Sequence, residues 1–349
     1  MSHPAGTVLT LAARWIFPVD AEPLADGCID IRDGKIVGIG PRTGRIVDFD
    51  YGNAGISPGF VNAHCHLELA ALENDDWSAF DPPQNEVQWL QRLVKQRWQT
   101  DPESYAETAA QHSLELVHSG TTLVADITTA GASGPALAET PIRSVIFAEI
   151  IGLKRLRALT MNEAAWAWIN AVDPVLKRDR PTDGTFRQKL GISPHAPYST
   201  AGWLYHQAAR SGLPLTTHIA EMPEELEFIS DGTGPLRDFL EEIGAWPEDE
   251  SWEPLGSKPL EFVRGKELRS ADWLLAHCNY IDENDLWQFA PAAQKPGQRF
   301  AVVYCPRTSA RFGHLQNPYQ KILERGGIVC LGTDSRASAY TLSVLDEMR

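Results

Sequence analysis

The sequence is short of cysteine, of long apolar runs and of positive charge, and each shortage excludes a class of protein. The five cysteines, Cys28, Cys65, Cys278, Cys305 and Cys330, are odd in number and scattered through 349 residues without a C-x-x-C pair. They read as reduced thiols rather than a disulfide frame. No apolar stretch approaches the roughly 20 residues that a bilayer span needs. Met1 to Trp15 lacks a basic start followed by an apolar segment and a cleavage site. A cytoplasmic protein with no membrane partner is expected. Lys and Arg total 31 against 46 Asp and Glu, a net charge of −15, and neither sign forms a long block. That balance argues against a nucleic-acid partner, whose phosphates would call for a basic surface. What is present, 43% hydrophobic and 22% charged residues, is ordinary for a folded chain long enough for one large domain or two smaller ones.

The first part of the chain reads as short strands, at Thr7 to Trp15, Cys28 to Arg32, Lys35 to Ile39 and Arg45 to Tyr51, with Asp33-Gly34 as a two-residue hairpin turn. Residues 1–57 therefore form a small β module. Gly38-Ile39-Gly40 is not a phosphate loop, because Pro41 and another strand follow it instead of a helix. From Pro58 onward, apolar runs alternate with amphipathic segments. The runs are Gly59 to Ala63, Thr121 to Ile127, Arg143 to Ile150, Gln188 to Ser193, Leu213 to His218, Asp272 to His277, Phe300 to Cys305 and Gly327 to Thr333. Eight such runs separated by helices, such as Asn85 to Gln99 and Tyr105 to Val117, predict an α/β fold with a (β/α)8 barrel over residues 58–349. The acidic stretch from about Pro223 to Arg269, with Trp246 and Trp252, reads as an excursion over the barrel mouth. Little chain follows Asp334. The final helix, predicted over Leu342 to Arg349, has no cap or terminator, and the expectation is a fragment.

Histidines mark the chemistry. Of ten, His64 with His66, His218, His277 and His195 fall at or just beyond the C-terminal ends of predicted strands, the face on which barrel active sites are built, and Asp334 takes the same place on the eighth strand. In an extended backbone, residues two apart point the same way, so His64 and His66 can meet one metal while Cys65 turns away into packing. A third histidine and an aspartate would complete three nitrogens and one oxygen around an open position. That set suits one Zn2+, with Fe2+ or Mn2+ as alternatives. His3, His112, His118, His206 and His314 have no such placement and read as bland.

The runs Pro58-Gly59-Phe60-Val61-Asn62-Ala63-His64-Cys65-His66, Thr217-His218-Ile219-Ala220-Glu221, Leu275-Ala276-His277-Cys278 and Leu331-Gly332-Thr333-Asp334-Ser335 resemble, in order and spacing, the amidohydrolase superfamily. Within it they are most like the zinc-dependent deaminase and chlorohydrolase group. The resemblance implies a metal held by His64, His66, His218 and Asp334, with Glu221 and His277 handling protons and Asp334 accepting the proton of the attacking water. Bound Zn2+ lowers the pKa of water from about 15.7 to near 7. Glu221 would protonate a ring nitrogen while hydroxide attacks the adjacent amino-bearing carbon and ammonia leaves. Two-metal members carry a carbamylated lysine on the strand that ends at His195. Lys189 stands at the wrong end of that strand, so one metal is expected, with His195 touching substrate.

The resemblance extends to substrate. His64-Cys65-His66-Leu67-Glu68-Leu69, and Trp89-Leu90 followed by Arg97, look like the branch that works in menaquinone biosynthesis. They imply a small-molecule substrate, an adenine nucleoside derivative, with 6-aminodeoxyfutalosine favoured. Glu68 would meet ribose hydroxyls, and His195 and Arg307 would hold a carboxyl-bearing tail, although a salt bridge serves equally well for Arg307. The alternatives are a chlorohydrolase or cyclic amidohydrolase acting on a triazine or other aza-ring, and a non-catalytic barrel fragment. The superfamily also implies a β sandwich, here incomplete at its C-terminal side. An uncovered sheet edge would invite pairing with a second copy, a homodimer.

Overall fold

The computed structural model describes residues 6–70, 86–129, 131–178, 186–248, 258–263, 271–291, 299–315 and 317–349. The chain divides into two units, Met1–Gly59 and Phe60–Arg349.

The first unit is a sheet of β1 (Val8–Ile16), β2 (Leu24–Arg32), β3 (Lys35–Pro41), β4 (Phe49–Asp50) and β5 (Gly55–Ile56). The order is β3-β2-β1-β4, with β5 also on β1. The β2–β3 hairpin turns at Asp33 and Gly34, both at positive φ (49° and 74°), the backbone an Asp-Gly turn supplies. Ala13, Ile16 and Ile29 form its buried face. Among the described residues this module is one sheet, without the second layer of a sandwich. The strand expected from Arg45 shrinks to Phe49–Asp50. Arg45 N closes a turn onto Arg42 O at 3.1 Å, and the Asp48 carboxylate takes the Thr10 N–H at 2.7 Å.

The second unit carries the barrel strands β6 (Phe60–Cys65), β7 (Thr121–Thr128), β8 (Arg143–Ile150), β9 (Gln188–Pro194), β10 (Leu215–Ile219), β11 (Trp273–His277), β12 (Phe300–Tyr304) and β13 (Ile328–Leu331). They pair in chain order, each parallel to the next. Val124, Ile146, Ile192, Leu275 and Val302 are among their buried residues, as near-continuous apolar strands covered on both faces require. The ring nearly closes where β13 returns to β6. Cys65 and Asp334 form a parallel bridge, Thr333 N donates to His64 O at 3.0 Å, and Asn62 Nδ2 donates to Thr333 Oγ1 at 2.7 Å. A Cβ at Gly332 would lie 2.7 Å from His64 Cβ, so only glycine lets the last strand approach the first so closely. Closure thus brings the residues around His64 to those around Asp334.

The helices are α1 (Glu86–Gln99), α2 (Pro102–His118), α3 (Ser133–Ala138), α4 (Arg155–Arg178), α5 (Gly202–Ala209), α6 (Pro223–Asp231), α7 (Pro235–Glu242), α8 (Pro259–Val263), α9 (Glu283–Leu286), α10 (Pro306–Arg311), α11 (Tyr319–Glu324) and α12 (Val344–Glu347). In α2, Asp101 accepts the Glu103 N–H at 3.0 Å with Pro102 in the first turn, two start signals in one place. The predicted last helix loses its first turn because Leu342 N is drawn to Glu115 Oε1 at 2.8 Å, and Ser343 caps what remains. The described residues of the stretch after β10 include α6, α7 and α8. Trp246 is buried against Phe228, with the Arg237 guanidinium 3.6 Å over its ring. Trp252 and Asn85 lie outside the described residues. Among the described residues no helix is long and apolar enough to cross a membrane.

Candidate active site

His64, His66 and His218 converge from β6 and β10, with one ring nitrogen from each inside a 4.8 Å cluster. His66 Nε2 and His218 Nε2 face one another at 3.1 Å. Asp334 Oδ1 is 3.7 Å from His64 Nε2 and 3.8 Å from His66 Nε2. Its other oxygen is occupied, accepting from Ser338 Oγ at 2.8 Å and Thr308 Oγ1 at 3.3 Å, which aims Oδ1 at the imidazoles. His218 Nδ1 donates to the His195 carbonyl at 2.8 Å, so its Nε2 is the unprotonated nitrogen directed into the cluster. Among the described residues neither nitrogen of His64 has a hydrogen-bond partner, although the residue is only 1% exposed. A buried ring left so is costly unless something else satisfies it. Three imidazole nitrogens and one carboxylate oxygen fit a divalent cation in that place. Burial, reinforced by neighbouring imidazoles, holds His64 and His66 well below the usual histidine pKa, which keeps them in the neutral form that binds metal.

A second group adjoins the first. Glu221, His277 and Asp334 each present an atom within 4.8 Å of the others, and His277 Nε2 is 3.1 Å from Glu221 Oε1. Ala220, His277, Cys278 and Asp334 all have positive φ, between 50° and 70°. That conformation is uncommon outside glycine, and strain of this kind concentrates at functional sites. Burial pushes the Glu221 carboxyl well above the usual range, and the Glu86 carboxylate adds to it. The backbone around Glu221 is pinned, its N–H donating to Glu225 Oε2 at 3.0 Å and its carbonyl accepting from Asn279 Nδ2 at 3.0 Å.

The other expected site residues divide. His195 stands beside His218, ring centroids 4.7 Å apart, with Nδ1 against Ser199 Oγ at 2.6 Å. Glu68 is buried, and its carboxylate accepts from Thr128 Oγ1, from Thr129 N at 3.0 Å and from Ala132 N at 2.7 Å. Arg307 is not brought to the cluster. Its Nε is 2.7 Å from Glu347 Oε1 and its two terminal nitrogens reach Thr341 Oγ1 and O, each at 2.7 Å, so the guanidinium ties down the C-terminal segment. Three acids escaped the sequence reading. Glu149, next to last in β8, lies within the 4.8 Å reach of His195 and His218. Asp126 holds the turn after His66 by accepting Leu67 N at 2.9 Å. Glu86 begins α1. Glu149 and Asp126 sit near strand C-termini, the signal that located the histidines, and could have been found by it.

A cavity of about 600 Å3 adjoins His195, with Leu90, Arg97, Trp98, Lys154 and Arg157 in its wall. The α7 end, Phe239 to Ala245, contributes to it as well, so the excursion after β10 does wall the barrel mouth. Arg97, Lys154 and Arg157 supply the cationic lining that Arg307 does not.

The amidohydrolase family model matches residues 56–349. This chain belongs to the amidohydrolase family. It is a hydrolase acting on carbon–nitrogen bonds other than peptide bonds. Among its relatives is the 5-methylthioadenosine/S-adenosylhomocysteine deaminase of Pelotomaculum thermopropionicum, 27% identical over 341 residues that cover 93% of this chain and 68% of that protein. The aminodeoxyfutalosine deaminase of Deinococcus radiodurans is 28% identical over 310 residues, 84% of this chain and 67% of that one. In fold it is similar to an adenosine deaminase from Xanthomonas campestris solved with bound zinc, with a TM-score of 0.73, 19% identity and coverage of 99% of this chain and 73% of that one.

Proposed function

We propose that this amidohydrolase removes the exocyclic amine of an adenine nucleoside derivative with a bulky 5′ group, 6-aminodeoxyfutalosine ahead of S-adenosylhomocysteine and methylthioadenosine, with one Zn2+ bound. The reading rests on one observation above all: a buried carboxyl, Glu221, stands with His277 and Asp334 beside three facing imidazoles. His64, His66 and His218 would give the metal its nitrogens and Asp334 its oxygen. A bound divalent metal supplies acidity, bringing water from a pKa of about 15.7 to near 7.

The rest of the chemistry belongs to side chains. Glu221, whose carboxyl burial pushes well above the usual range, is suited to protonating a ring nitrogen such as N1 of adenine while the neighbouring C6 is attacked. Amine departure also needs a proton, which chloride departure does not, and this favours a deaminase. Asp334, with Oδ2 held by Ser338 and Thr308, would take the proton of the attacking water on Oδ1, and His277 would orient that water by hydrogen bonding. His195 and Glu68 would meet the nucleoside. The cavity gives a 5′ extension room, and Arg97, Lys154 and Arg157 would pair with a carboxylate on it by charge-assisted hydrogen bonds. The names of the two relatives, both deaminases of 5′-extended adenine nucleosides, support the same choice, and the favoured substrate would place the protein in menaquinone biosynthesis.

The test is a side-by-side ammonia-release assay. The three nucleosides should exceed guanine, cytosine and chlorotriazines in kcat/KM by at least about tenfold, roughly 1.4 kcal/mol of transition-state binding. A win for guanine or a triazine would overturn the nucleoside reading, and an unchanged Glu68→Ala variant would remove the ribose contact.

A further inference from the structure

Where β10 and β11 end, two buried side chains turn to the main chain of one residue, Glu221. The β10–β11 ladder stops at the Ile219–His277 pair, and Ala220, His277 and Cys278 then turn at positive φ, 50°, 70° and 53°. Two backbone bonds join these turns, Cys278 N donating to Ile219 O at 2.9 Å and Tyr280 N to Ala220 O at 3.0 Å. Those bonds ask nothing of the side chains. Glu221 lies past the end of the ladder, and as a buried residue it still needs partners for its N–H and C=O. Glu225, fully buried in the first turn of α6, accepts the N–H on Oε2 at 3.0 Å. Asn279, 4% exposed, donates from Nδ2 to the carbonyl at 3.0 Å. Among the described residues Glu225 Oε1 and Asn279 Oδ1 have no hydrogen-bond partner. Each of the two side chains thus carries the cost of an unsatisfied buried oxygen, and what they share is the grip on Glu221.

We propose that Asn279 and Glu225 are positioning residues for Glu221: by holding the carbonyl and the N–H on either side of its Cα, they fix its backbone dihedrals and so the direction in which its side chain leaves the chain. That direction brings Glu221 Oε1 to 3.1 Å from His277 Nε2. Asn279 stands two residues after His277, so one turn carries the imidazole and also holds the acid opposite it. Misplacing a reacting group by about 1 Å can lower a rate about 10²-fold, which makes such a grip matter to turnover. The inference rests on the proposed deaminase reading, in which Glu221 meets the substrate ring. Neither Asn279 nor Glu225 touches a reacting atom, and the grip needs no change of charge in either.

The experiment is a double-mutant cycle on the zinc-loaded protein, with Asn279→Leu, Glu221→Gln and the double variant assayed for ammonia release from the preferred adenine nucleoside. Leucine at position 279 keeps the shape of asparagine and removes the donor. Asn279→Leu should lower kcat at least about tenfold with KM within about twofold and metal content unchanged, and it should cost almost nothing further once Glu221 is already Gln, since coupled residues are not additive. Glu225→Leu should lose kcat in the same way, and Glu225→Gln, whose amide oxygen still accepts the N–H, should restore most of that loss. Equal costs of Asn279→Leu in both backgrounds would show a structural role and overturn the proposal, as would an Asn279→Leu variant with normal kcat or a Glu225→Gln variant no better than Glu225→Leu. If Asn279→Leu unfolds or loses metal, the same cycle run with Asn279→Ala decides by the same criterion, and metal loss there too would overturn the proposal. Failure of the wild-type protein to release ammonia from any purine nucleoside would instead overturn the deaminase reading, and the roles of Asn279 and Glu225 with it.

Discussion

Replacing Arg307 with Ala should destabilise the protein without weakening substrate binding, the reverse of what a tail-binding arginine would do. The Arg307 side chain is 13% exposed, and that of Glu347, its partner, is 0%. Besides the Nε contact, Arg307 N donates to Glu347 Oε2 at 3.0 Å, and the guanidinium also spans Thr341, 34 residues away. Removing the arginine leaves a carboxylate buried with its charge uncompensated. Burial already pushes the Glu347 carboxyl upward against the pull of Arg307. Breaking such a buried pair costs about 3–5 kcal/mol. The assay is denaturant unfolding at one fixed zinc concentration, because bound metal adds its own stabilisation by mass action, with KM measured well below the melting range. The expected result is a loss of that size with KM for a carboxylate-bearing nucleoside within about twofold of wild type. A stability change under about 1 kcal/mol together with a tenfold rise in KM would place Arg307 at the substrate and refute the reasoning.

Glu221→Gln should keep the metal and the fold and lower kcat by about 10² to 10⁴, the usual contribution of a general acid. Loss of metal in that variant would make Glu221 a ligand, and near-normal turnover would remove it from the chemistry. Glu225 gives a pH dependence. Burial raises its carboxyl to about 7 from 4.5, so the folded state holds this proton more tightly than the unfolded chain. Its contribution is therefore fully present below about pH 4.5 and fades as pH rises to about 7, a change of order 3 kcal/mol. The difference in unfolding free energy between wild type and Glu225→Gln, followed from pH 4.5 to 8, should shift in favour of the variant as pH rises. A difference independent of pH would contradict this.

The barrel was legible because each strand is an apolar run and the fold places strand C-termini on one face. That rule alone brings His64, His66, His195, His218, His277 and Asp334 together. What escaped were residues whose partners lie far along the chain. Nothing near Arg307 announces Glu347, 40 residues on, and a guanidinium after a strand reads as a substrate clamp until that carboxylate is in view. Glu86 and His314 likewise stand 228 positions apart by their numbers and meet only in three dimensions. The shortened strand at Phe49–Asp50 has a local reason: the Asp48 side chain, in place of a backbone carbonyl, takes the Thr10 N–H.

The central claim is that one metal, held by His64, His66, His218 and Asp334, supports hydrolytic deamination. Titrating Zn2+ into chelator-stripped protein while recording ammonia release from 6-aminodeoxyfutalosine tests it most directly, with a His64→Ala, His66→Ala double variant run in parallel. Activity should rise in proportion to added zinc, stop at one equivalent per chain, and be absent from the double variant. A break at two equivalents, a fully active double variant, or no ammonia at any loading would contradict it.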